Sequence, residues 1–128
     1  MARQPSHRIH VDLERKLIDV RPSGFFTPED AGWVGEDVRA AVLSLGADVG
    51  RHVTLYDFSE VEIVPAATVD AINGMFANPK VRPLWARKVA IVSPSALMRL
   101  QAARMREARR DIEVFENRAA ALGWLLAE

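Results

Sequence analysis

The sequence predicts an α/β domain: a mixed sheet of about five strands, opened by an antiparallel hairpin and continued by parallel βα units, with about four helices. Three observations carry this prediction. Two short alternating runs near the N-terminus are separated by only Glu14-Arg15-Lys16, a connection short enough to permit nothing but an antiparallel pair. Apolar runs of strand length then alternate with segments of helical period. Among them Lys88-Val89-Ala90-Ile91-Val92 is apolar on both faces, as expected of a central parallel strand covered on two sides.

The elements run in order along the chain. A first strand over about His7 to Leu13 alternates Ile9, Val11 and Leu13 with Arg8, His10 and Asp12. A second, about Leu17 to Arg21, is broken by Pro22-Ser23-Gly24. Thr27-Pro28-Glu29-Asp30 opens a helix: threonine caps free N–H groups, proline suits the first helical position, and the acids oppose the dipole. Val34, Val38, Ala41, Val42 and Leu45 give that helix its apolar stripe, and Gly46 stops it. Phe25-Phe26 is most simply a staple at the helix entry, with a ligand lip as the alternative. The third strand spans about His52 to Phe58. A helix from about Pro65 carries Val69, Ile72, Met75 and Phe76. After the Lys88–Val92 strand, Ser93-Pro94 leads into a helix over about Ser95 to Ala108. Ile112-Glu113-Val114-Phe115 is the last strand, and Asn117 caps a final helix with Leu122, Leu125 and Leu126 facing inward. No repeat or linker divides the chain, so residues 1–128 are expected to form a single domain.

Composition narrows the class. The 49% hydrophobic and 27% charged content is that of a globular protein, and a chain of this length buries roughly two thirds of its unfolded surface. With no cysteine, disulfides and thiolate metal sites are excluded. No apolar run reaches membrane-span length and the N-terminus lacks a signal-peptide core, so the cytoplasm is the expected location. The formal net charge is zero, yet residues 79–110 hold 9 basic and 1 acidic side chains, against 7 and 12 in residues 1–78.

Asp57-Phe58-Ser59-Glu60-Val61, together with the order of elements, resembles a STAS domain, the fold of bacterial anti-sigma-factor antagonists. Gly24 to Asp30 and the closing segments Val114-Phe115-Glu116 and Ala119 to Leu126 are similar, more narrowly, to the SpoIIAA-like (STAS/SEC14-type) group. The resemblance implies a bacterial interaction module that works as a homodimer. In phospho-regulated members a strand ending Asp-Leu-Ser precedes a helix opening Asp-Ser-Ser-Gly, whose second serine is phosphorylated. Here the second motif falls on Pro65-Ala66-Ala67-Thr68, so Ala67 stands where the acceptor would be. Thr68 lies one residue on, about 100° around the helix, and reads as a helix-surface or packing residue.

These readings define the candidate sites. A protein-partner surface is expected at the strand–helix junction, lined by Asp57, Ser59, Glu60, Ala66, Ala67 and Thr68. Arg99, Arg106 and Arg110 share one face of the Ser95–Ala108 helix, opposite Leu97, Met98, Met105 and Ala108, with Arg104 and Arg109 close by. A solvated face is the leading reading of these arginines, and an anion-facing surface the second. The alternative function, carriage of a small apolar or lipid-like ligand, places Phe25, Phe26, Met75, Phe76 and Trp85 around a pocket. Asp57, Glu60 and Glu62 cluster in one acid-rich loop, without a histidine near in sequence. His7, His10 and His52 lack the spacing of paired ligands, so no metal or other cofactor is expected. No nucleophile–base pair can be assembled, so no enzyme is expected. Nor is a nucleic-acid partner, the chain being neutral and without interleaved aromatics. Trp33 is expected to be partly buried, Trp85 to cover a core edge or line a cavity, and Trp124 to be packed or buried between subunits.

Overall fold

In the computed structural model, which describes residues 4–62 and 64–127, strands β1 (Ser6–Asp12) and β2 (Leu17–Gly24) form the antiparallel hairpin. Its turn passes through Lys16 at φ 54. Leu13 belongs to this turn and is exposed, so the strand ends one residue before the alternation suggested. Conversely, β2 runs through Pro22-Ser23-Gly24, where the sequence predicted a break. Pro22 falls where β2 has left β3 and not yet joined β4, so its missing N–H costs little on that side of the ladder.

Helix α1 (Pro28–Leu43) starts as expected. Thr27 Oγ1 accepts from the Asp30 N–H (3.2 Å), and Asp30 Oδ2 accepts in return from the Thr27 N–H (3.0 Å). Three parallel strands come next across the sheet: β3 (Val53–Asp57), β5 (Lys88–Val92) and β6 (Ile112–Phe115). A two-residue strand β4 (Glu60–Val61), unforeseen because it is so short, pairs with the end of β2. Among the described residues the sheet is therefore six-stranded, in the order β1-β2-β3-β5-β6 with β4 beside β2. Helices α2 (Ala66–Ala77), α3 (Ala96–Ala103) and α4 (Arg118–Leu126) complete the fold.

Strand alternation sends alternate side chains to two cores. On one face Ile18 and Val20 of β2, Val89 and Ile91 of β5 and Ile112 of β6 pack beneath α1, α2 and α3. On the other, Leu17, Val53, Leu55, Ala90 and Val92 pack against Ala121 and Leu125 of α4 alone. Leu126, expected inward, is exposed at the end of α4. Trp33, expected to be partly buried, is 70% exposed on α1. Trp124 packs on Phe115, ring centroids 5.7 Å apart. Among the described residues, no helix is long and apolar enough to cross a membrane.

Candidate functional site

The junction of β3, β4 and α2 is held from below by polar contacts. The Asp57 carboxylate accepts from the Ser59 N–H (3.0 Å) and from its hydroxyl, tightening the loop after β3. Thr68 donates its hydroxyl to the Phe26 carbonyl (3.0 Å) and is 0% exposed. Gln101 of α3 takes both the N–H and the carbonyl of Val64, standing in for a neighbouring strand. Ser59, Glu60, Ala66 and Ala67 are exposed above this layer, whereas Asp57 is only 7% exposed. Two of the six residues expected on a partner surface, Asp57 and Thr68, are thus interior supports. Beyond Ser59, their partners are Arg118 of α4 and Phe26 in the segment before α1, which spacing within the loop does not show.

Asp57 belongs to a larger buried cluster. Asp19 of β2 lies on the same face of the sheet, and Arg118, the first residue of α4, spans the two. Its Nη1 reaches Asp57 Oδ2 (3.0 Å) and Asp19 Oδ1 (3.2 Å), and its Nη2 reaches Asp19 Oδ2 (2.8 Å). Arg21 adds a longer contact to Asp19 (3.3 Å). Burial opposes ionisation of both carboxyls. Even so, bonds from Arg118 and Arg21 at Asp19, and from Ser59 and Arg118 at Asp57, hold both below the ordinary carboxylate value. Every charged group of this cluster is engaged with another, and the arrangement pins α4 to the sheet.

The other face of the sheet carries open space. A pocket of about 90 Å³ lies between α1, α2 and the sheet, with walls almost wholly apolar: Phe26, Val34, Phe58, Ile72, Met75 and Phe76 are among them. Phe26, Met75 and Phe76, named in the sequence as pocket residues, are brought together here. Phe25 is half-buried but does not line this space. A second, more polar cleft of about 420 Å³ adjoins it under α1 and the loop after α2. Gly35, Val38, Tyr56, Met75 and Phe76 form walls common to both. Burial pushes the Tyr56 phenol up to about 12, so it stays protonated. Trp85 lines the second cleft and not the first.

The arginines do not form one anion-facing surface. Helix α3 ends at Ala103, and Arg104–Glu107 tightens into a 3₁₀ turn. With three residues per turn instead of 3.6, each residue of this turn is rotated by about 20° more than an α-helix would give, and Arg110 lies beyond the turn, so the helical alignment of Arg99 with Arg106 and Arg110 is broken. Arg99 pairs with Glu116 (3.4 Å) and Arg106 with Glu113 (3.4 Å), while Arg110 is exposed. Arg109 turns inward and is 4% exposed. It holds the Ala86 carbonyl (3.0 Å) and both Asp111 oxygens, and stacks over Trp85 at 4.2 Å. Among the described residues, no group of three or more His, Asp or Glu is placed to hold a metal ion.

Fold and site together define a small α/β domain with a mixed sheet, a hydrogen-bonded strand–helix junction and an apolar pocket under two helices. Solved structures of this shape exist. The chain superposes on the crystal structure of an uncharacterised protein of the DUF3478 family with a SpoIIAA-like fold from Shewanella loihica PV-4. The TM-score is 0.68 and the identity 16%, with 96% of each chain covered. The NMR structure of the protein TM1081 matches at TM-score 0.60 and 15% identity, over 88% of this chain and 84% of the other. The chain therefore has the SpoIIAA-like fold. No family model and no curated protein matches the sequence.

Proposed function

We propose that the protein is a non-enzymatic binding module that takes a small apolar or amphiphilic ligand between α1, α2 and the sheet. The observation that carries this reading is the pocket of about 90 Å³, where Phe26, Met75 and Phe76 leave room in an otherwise filled core. Interiors are normally packed to near-crystalline density, and an apolar void forfeits contacts unless something enters it. The larger cleft beside it falls within the 300–1,000 Å³ range of small-molecule sites.

Native mass spectrometry of the freshly purified chain tests the reading. A ligand-bound mass that reverts to 14.2 kDa on denaturation is the expected result, as is a saturable rise in melting temperature with toluene. A bare mass together with no effect of toluene would overturn it.

A second reading is favoured by the exposed part of the junction: a protein partner docking on Ser59, Glu60, Ala66 and Ala67. Helix α2 starts at Pro65 without a side-chain cap, and small alanines leave its first turn open to contact. Ala67 offers no hydroxyl, so regulation by phosphate at that position is absent from this reading. The buried Thr68 is not its substitute. The comparison that decides is capture from source-cell extract by the wild type and by A67R. A partner retained by the first and lost by the second supports docking here, and identical capture excludes it.

A further inference from the structure

Tyr56 is the single tyrosine of the chain, and it stands where the apolar pocket and the polar cleft meet, lining both. It lies in the middle of the sheet, in register with Val20 of β2 on one side and Ile91 of β5 on the other. With its backbone covered on both sides, the surface that this half-buried residue retains belongs to its side chain. The ring leans on Phe58, two residues along the same face, with centroids 6.2 Å apart. It also packs against both core clusters on the helix-covered side, so the sheet sets where the phenol points.

The Tyr56 hydroxyl has no hydrogen-bond partner among the described residues, yet it is not sealed from solvent. Of the described side chains lining the apolar pocket, only those of Thr68 and Tyr56 carry an oxygen or nitrogen atom. Thr68 already donates its hydroxyl to the Phe26 carbonyl (3.0 Å). The phenol is therefore the polar group left for a ligand. A wholly hydrocarbon ligand that covered it would leave it unpaired, which costs more than a made hydrogen bond returns. A ligand with one oxygen at that end fills the pocket and pairs the hydroxyl together.

The surroundings also decide the charge of that oxygen. Val38, Met75 and Phe76 flank Tyr56 in the walls common to both cavities. Burial there opposes ionisation of the phenol itself, and it opposes an ionised oxygen beside it for the same reason. The Arg109 charge on the cleft wall offsets this only in part, being engaged by both Asp111 oxygens.

We propose that Tyr56 is the hydrogen-bonding anchor of the site, and that the ligand is a small uncharged molecule with its apolar body beside Phe26 and Ile72 and one hydroxyl or carbonyl oxygen on the Tyr56 hydroxyl. The proposal rests on the apolar-ligand reading above and adds the ligand's polar end to it.

Toluene and p-cresol differ by one hydroxyl, as phenylalanine and tyrosine do, so titrating both into wild type and Y56F by calorimetry closes a cycle. Y56F removes a hydroxyl that bonds no described residue, so toluene affinity should be unchanged. Wild type should bind p-cresol at least as tightly as toluene. In Y56F that preference should fall about fivefold, the equivalent of about 1 kcal/mol for one neutral hydrogen bond. A second readout needs no variant: tyrosine labelled with ¹³C at Cζ gives one resonance in the full chain. Saturating p-cresol should shift it, and by more than toluene does. The same preference in both proteins, or p-cresol bound without movement of the Tyr56 signal, would overturn the anchor while toluene binding left the apolar reading standing. Failure of both compounds to bind wild type would overturn both readings. p-Toluate, a carboxylate at neutral pH, bound as tightly as p-cresol would refute the uncharged oxygen.

Discussion

Arg118 bridges two buried carboxylates, Asp19 at 6% and Asp57 at 7% exposure, which without it would keep only the longer Arg21 contact at Asp19 and the neutral Ser59 bonds at Asp57. Removing one member of such a set is costly because the remaining charges keep their desolvation penalty. R118M retains the apolar stem and deletes the charge. We expect it to lower stability by about 3 kcal/mol at pH 7, the low end for a buried pair because Arg118 itself is partly exposed. Urea denaturation measures this directly. The pH dependence has a definite sign. Both carboxyls titrate below 3.8 in the folded chain, so their contribution is complete above that value and is lost as pH falls through the lowered folded values. The gap between wild type and R118M should accordingly narrow as pH drops towards and below 3.8. A gap that stays constant down to pH 2 would mean that Arg118 acts through packing alone. None of this cluster is legible in the sequence, because Arg118 stands 61 and 99 residues from its partners and spacing reports only local neighbours. Ser59, by contrast, is legible as a turn residue bonding locally, since its partner is two residues away.

At the scale of elements, the sequence is clearest where a local rule decides. The Thr27–Asp30 capping box, the two-faced apolar strand β5 and the Asn117 cap of α4 are all as their residues suggest. It is least clear where tertiary contacts override local pattern. Residues 95–108 carry a continuous helical stripe, yet the chain tightens at Arg104, which puts Arg109 over Trp85 rather than on an outer arginine face. The approach of α1 to α2 belongs to the same scale. Gly35 faces Met75, and a methyl group built on Gly35 would stand 3.1 Å from Met75 Sδ. Both residues line the pocket and the cleft, so Met75 has space to give way, but only into the ligand's volume. G35A should therefore leave stability within about 1 kcal/mol of wild type, the gain in helix propensity offsetting the contact. It should weaken toluene by roughly fourfold, the equivalent of about 0.8 kcal/mol for one methylene's room. Calorimetric titration of toluene into both proteins checks this, and unchanged affinity would move the ligand out of the space between α1 and α2.

For the whole molecule, the unequal covering of the sheet is the property that sequence order conveys only in part. The βα pattern predicts helices on the sheet but not their division, with α1, α2 and α3 over one face and α4 alone on the other. That division gives the pocket its roof of paired helices and leaves α3 at the outer margin, with Leu97 49% and Leu100 68% exposed one turn apart. The helical stripe had placed Leu97 on the core side. Paired leucines held in water at the edge of a domain are a common mark of an association surface. The formal net charge of zero adds no long-range repulsion between two copies at neutral pH. We therefore expect a homodimer that meets through α3, with a light-scattering mass near twice 14.2 kDa at micromolar concentration. L97E/L100E should return the monomer mass with an unchanged melting temperature, because neither side chain contributes to the buried core. A wild-type mass of 14.2 kDa would dismiss the dimer, and a double variant that still dimerises would move the interface away from α3. The toluene response should be the same in the monomeric variant, since neither Leu97 nor Leu100 lines the pocket or the cleft.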